Sequence, residues 1–131
     1  MNLKNNQLLK KITGLSTCIC GIIVATNLVF AASFDSTYNM TGGLHSRTFT
    51  PSGSSPIVNV KIYPEIGVPG ESMSLYLQRK VGLGYVDDAS GSLVSTKVND
   101  TDLKGKSKGT YRIYFRNWTG KKMSGDVRIT Y

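Results

Sequence analysis

Beyond residue 32, apolar side chains fall on every second position wherever they cluster. "IVNVKIY" (57–63) puts Val58, Val60 and Ile62 on one side, and "SMSLYLQRK" (72–80) does the same with Met73, Leu75 and Leu77. Near the C-terminus, Tyr111, Ile113 and Phe115 alternate with Arg112, Tyr114 and Arg116, and Met123, Val127 and Ile129 with polar neighbours. A period of two is the strand period, with successive side chains pointing to opposite faces. No segment of 32–131 shows helical periodicity. The spacing predicts further strands over 34–40 (Phe34, Tyr38 and Met40 inward), 44–50 and 93–99, the last with Val94, Thr96 and Val98 inward, and 81–86 reads as a turn leading into another short strand. The stretches 51–56, 64–70, 87–92 and 100–109 read as loops by their Gly, Pro, Ser and Asp content. The last two strands read as one hairpin joined by "TGKK" (119–122).

Seven or eight short strands in 100 residues predict an all-β fold, a small antiparallel β-sandwich. Leu103, a polar loop and then Gly109 to Ile113 resemble the approach to the tyrosine corner of immunoglobulin-like and fibronectin type III domains. In such a corner a tyrosine opening a late strand bonds back to upstream backbone, and the resemblance gives that place to Tyr111. A jelly roll or a small barrel is the alternative architecture.

Residues 1–31 read as a secretory signal peptide. "MNLKNNQLLKK" carries Lys4, Lys10 and Lys11 without an acid, residues 12–30 are uncharged, and "VFAAS" supplies small residues for cleavage. The expected cut follows Ala31, with a cut after Ser33 as the alternative; a signal-peptide helix thus precedes a single domain, 32–131. A retained anchor is the competing reading, since the uncharged run approaches the roughly 20 residues that span a bilayer. Cys18 and Cys20 follow Thr17 and Ile19 rather than a small residue and lie inside the run, which argues against lipidation. Cleavage removes both, so no disulfide staples the exported domain. The asparagine- and lysine-rich opening has the style of a Gram-positive bacterium.

Three of the 16 basic residues leave with the leader and all 8 acidic ones stay, so the exported domain carries 13 basic residues and a charge of +5. An exported basic domain meets anions such as wall polymers, acidic lipids and polysaccharides. Most of its basic residues fall in 104–128. Arg112, Tyr114 and Arg116 share one strand face, Trp118 extends the row, Lys121 and Lys122 cap the turn, and Arg128 takes the matching parity on the expected partner strand. Guanidinium forks pair with phosphate or carboxylate, and aromatic rings stack on sugars or bases. A solvated strand face, with lysines blunting edges, is the bland reading of the same residues.

Catalytic groups are sparse. His45 is the lone histidine and has no nucleophile-elbow sequence near it. Asp87 and Asp88 are adjacent, and Glu65 and Glu71 flank a proline loop. "DTDLKGKSKGTY" starts like a calcium loop with Asp100, Asp102 and Gly105, but puts Lys104 at the third ligand position and Tyr111 at the last. A looser site from Asp87, Asp88, Asp100 and Asp102 is the remaining metal option. The expectation is therefore a secreted, non-enzymatic bacterial binding module with no cofactor or metal. Its basic-aromatic face would engage an anionic cell-wall polymer or a protein partner. Nucleic acid is not expected, nor is stable membrane insertion after cleavage. Alternatives are a cationic antimicrobial, bacteriocin-like protein and a secreted inhibitor probing with "PEIGVPG" (64–70).

Overall fold

The computed structural model describes residues 32–131, so the expected leader and its helix lie outside the described residues. Eight strands follow one another: β1 (Ser33–Met40), β2 (Gly43–His45), β3 (Ile57–Ile66), β4 (Ser72–Val81), β5 (Gly84–Val94), β6 (Asn99–Lys104), β7 (Tyr111–Arg116) and β8 (Met123–Thr130). They form two four-stranded antiparallel sheets with orders β1-β8-β3-β6 and β2-β7-β4-β5. Every connection except β4–β5 crosses from one sheet to the other. That wrapping is the eight-stranded jelly roll, so the expected sandwich forms with the alternative connectivity.

The period-two residues build the core. Val58, Val60 and Ile62 of β3 and Val127 and Ile129 of β8 face Met73, Leu75 and Leu77 of β4 and Ile113 and Phe115 of β7, all at 2% exposure or less. The two sheets cover each other's apolar faces within 32–131, so this segment carries its own core. Each large side chain removed from water contributes about 1.5–3 kcal/mol of gross stabilisation.

Four expectations need correction. First, β7 and β8 are not a hairpin: β8 pairs with β1 and β3 in the other sheet. The connection 117–122 crosses the end of the sandwich, pinned by Asn117, whose Nδ2 donates to the carbonyls of Met40 and Lys121. Second, 87–92 is not a loop but the middle of β5. Leu77 pairs with Ala89 and Gln78 with Asp87, which leaves Asp88 as the extra residue of a β-bulge. Third, inward parity in 93–99 belongs to Leu93 and Ser95, while Val94 and Val98 are exposed. One inserted residue flips every later side chain to the other face, and the bulge supplies it. Fourth, β6 occupies the first half of 100–109 and buries Leu103.

The tyrosine corner is present inside the jelly roll. The Tyr111 hydroxyl contacts the Ser107 carbonyl four residues upstream and lies 3.0 Å from Asp88 Oδ2. The same Asp88 oxygen accepts from Arg79 Nε at 2.9 Å and from the Lys106 backbone N–H at 2.9 Å. These groups plug one end of the core with bonded polar atoms. Burial pushes the Asp88 carboxyl up, but the bonds from Arg79, Lys106 and Tyr111 outweigh it and hold the group below its ordinary value.

Candidate binding face

The β7 register fixes what surrounds the predicted row. Tyr114 pairs with His45 of β2 on one side and Tyr76 of β4 on the other; Arg116 pairs with Gly43 and Ser74, and Arg112 with Gln78. All have outward parity, so they form a continuous strip on the outer face of the β2-β7-β4-β5 sheet. His45 stacks on Tyr114 with ring centroids 4.7 Å apart, and Tyr76 stacks on its other side at 5.8 Å. Offset ring pairs at these separations are favourable beyond their buried area.

An arginine flanks this stack on each side along the strand, each against its own ring. The Arg112 guanidinium lies 3.7 Å from the Tyr85 centroid, and that of Arg116 lies 4.6 Å from Trp118. Arg112 is oriented further by Nε donating to Gln78 Oε1 at 2.9 Å, while Gln78 donates to Asp87 Oδ1. Trp118 lies past the end of β7, yet its Nε1 donates to Ser74 Oγ at 3.1 Å, which keeps the indole on the same face. The order along the face is therefore Trp118, Arg116, Tyr114 with its two stacked partners, Arg112, Tyr85. Ser72, Ser74, Ser90 and Ser92 share the outward parity beside it. Tyr76, Arg112, Tyr114 and Arg116 are half-buried, and the Arg116 Nε is enclosed without a hydrogen-bond partner.

Gly43 makes room where Tyr114 leans across β2. A Cβ there would stand 2.6 Å from the Tyr114 hydroxyl and 2.7 Å from its ring. Partial burial and, less strongly, the nearby Arg112 charge lower the His45 pKa, so the imidazole stacks as a neutral ring at neutral pH.

The predicted residues separate into two groups. Arg112, Tyr114, Arg116 and Trp118 come together. Lys121 joins them at the Trp118 end, where the two line a hollow of about 290 Å³ with Val68, Glu71 and Thr119. Lys122 turns the other way, beside Glu65 and Asp126. Arg128 is on the outer face of the opposite sheet, because β8 does not pair with β7, and its guanidinium is held by Asp35 through bonds of 2.7 and 2.9 Å. Outward positions of that sheet carry Asp35, Asp100, Asp102 and Asp126 against Lys61, Lys104 and Arg128. The outward positions of the aromatic sheet carry Arg112, Arg116 and Lys80 against Asp87. The net positive field therefore belongs to the face with the rings.

His45, Tyr76 and Tyr85 were not part of the predicted site. Tyr76 and Tyr85 have aromatic outward parity in the sequence, but only non-local pairing brings them to β7. The candidate calcium carboxylates are dispersed: Asp88 is enclosed, Asp87 bonds Gln78, and Asp100 and Asp102 share the Asn59 amide on the other sheet. The 64–70 segment is no free probe. Its first three residues lie in β3, and Val68 is buried with its N–H and carbonyl both bonded to the Ser95 hydroxyl.

No protein-family model matches the chain, and no curated protein matches it. Among solved structures, the chain is similar to the crystal structure of PirA, at 15% identity and a TM-score of 0.49, over 80% of this chain and 99% of that one.

Proposed function

We propose that this is a secreted, non-catalytic binding module that docks an anionic cell-envelope polymer across the outer face of the β2-β7-β4-β5 sheet. The observation that carries the reading is the single strip in which two ring-backed arginines flank a stack of His45, Tyr114 and Tyr76. Guanidinium forks at the two sides suit phosphate or carboxylate, and the outward edges of the stacked rings between them suit sugar or polyol segments. A polymer alternating such groups is the ligand class. Lys80 and Lys121 extend the positive field beyond both ends of the strip. The leader-like segment 1–31 and the +5 charge support an envelope location.

The test is sedimentation of residues 32–131 with Gram-positive cell walls. The protein pellets at low salt and is released as salt rises, because exposed charge pairs are screened within about 10 Å at 0.1 M. Arg112→Glu with Arg116→Glu stays soluble and folded. Arg128→Glu pellets like the parent, since that side chain is on the far sheet. Equal loss in both variants would make the attraction a matter of net charge and remove the face from the account.

A further inference from the structure

The β4–β5 hairpin ends in an apolar tip outside the core. Val81 pairs with Gly84 around the two-residue turn Gly82–Leu83, and Gly82 has φ +60°. A glycine with positive φ at the first turn position is the type II′ pattern, in which the second position ordinarily takes Asn, Ser or Asp. Here it is leucine, at 106% exposure. Val81 and Val86 have the inward parity of Leu77 and Arg79, yet they are 48% and 41% exposed. The cause is the polar plug. Arg79 and Asp88 close that end of the core, and the hairpin continues past them, so its inner face has no opposing sheet.

Three lysines surround the base of this tip. Lys80 is exposed, and its backbone N–H bonds the Thr110 carbonyl. That contact brings the 105–110 loop against the hairpin, as do Gly109, packed on the Arg79 stem, and the Lys106 N–H on Asp88. Lys106 and Lys108, both exposed, project from that loop. Asp87 is the one exposed acid on the hairpin among the described residues, and Gln78 bonds it. A fully exposed leucine between two half-exposed valines, collared by ammonium groups, has the complementarity of a lipid-water interface with acidic headgroups.

We propose that this tip is a peripheral anchor for anionic lipid bilayers. Val81, Leu83 and Val86 enter the headgroup region, while Lys80, Lys106 and Lys108 hold lipid phosphates. The site meets the aromatic strip only at Lys80, which pairs with Tyr85, and the contact is shallow, because only the three apolar side chains of the tip stand clear of the core.

Co-sedimentation of residues 32–131 with phosphatidylcholine vesicles, with and without phosphatidylglycerol, tests it. The protein binds the phosphatidylglycerol vesicles and not the neutral ones. Leu83→Ser, a favourable turn residue at a position that touches no core, weakens binding about tenfold. Lys106→Glu with Lys108→Glu weakens it roughly 25-fold or more, at about fivefold per lysine near an anionic surface. Arg112→Glu with Arg116→Glu keeps vesicle binding while losing wall binding, which separates the two sites. Unchanged binding by Leu83→Ser, or no binding by the parent, overturns the proposal. So does a parent that self-associates in sedimentation equilibrium and becomes monomeric with Leu83→Ser while ignoring vesicles, because the tip is then a contact between copies.

Discussion

Asp88→Ala removes the acceptor that closes one end of the sandwich. Its carboxylate side chain is 1% exposed, and one oxygen accepts from Arg79, the Lys106 backbone and the Tyr111 hydroxyl. The part-buried Lys106 N–H loses its acceptor, which falls at the low end of the about 1–3 kcal/mol that an unpaired buried donor costs. Tyr111 keeps the Ser107 carbonyl, so its loss is near the low end of that range. Arg79 is partly exposed and turns to water, so no stranded charge is added. The sum is roughly 2 kcal/mol, which for a domain of this size lowers Tm by roughly 8–16 °C. Thermal melts followed by circular dichroism, with urea midpoints alongside, measure it. Asp88→Asn, which keeps the shape and loses the charge, falls between parent and alanine. The pH dependence has a definite sign. The folded Asp88 pKa is depressed below its ordinary 3.8, so its stabilisation is present above that value and is lost as pH falls through the lower folded value. The gap between parent and Asp88→Asn is therefore full at neutral pH and closes in acid. An alanine variant melting within about 2 °C of the parent, or a gap that widens in acid, would refute the reasoning about this plug.

Gly43→Ala forces the Tyr114 ring to move, because the new methyl would stand 2.6 Å from its hydroxyl. Wall binding falls several-fold with only a small change in Tm, although no side chain assigned to the ligand is altered; sedimentation and melting are read together. A polyanion on the strip favours the imidazolium form of His45, whose pKa in the free protein is lowered by burial and by Arg112. Wall binding therefore strengthens as pH falls below neutral, and His45→Gln removes that dependence.

Much of the fold is legible in the sequence because period-two patterning is a local signal. The core faces of β1, β3, β4, β7 and β8 follow directly from alternation at Phe34, Val58, Met73, Tyr111 and Met123. What alternation lacks is the identity of each neighbour. "TGKK" between two strands has the length of a hairpin loop, but in the structure 117–122 crosses the sandwich, since Asn117 anchors it to Met40 and β8 is taken up between β1 and β3. That long-range preference has no signature within 109–131, so Arg128 is read onto the wrong sheet. The bulge at Asp88 is equally silent. "DDASGS" has loop composition, and the residue that inverts the parity of Leu93 and Val94 is identified only by its buried bonds. The site is half legible for the same reason. Arg112, Tyr114 and Arg116 share a face by spacing alone, whereas His45 and Tyr76 join them through pairings across 69 and 38 residues of chain.

The most direct measurement of the central claim is backbone amide mapping by nuclear magnetic resonance as an anionic wall polymer is added to isotope-labelled 32–131. The account predicts shifts concentrated at His45, Tyr76, Tyr85, Arg112, Tyr114, Arg116 and Trp118, with Asp35, Tyr63 and Arg128 unmoved. Shifts centred on Arg128 and Tyr63, or spread evenly over both sheets, would contradict it.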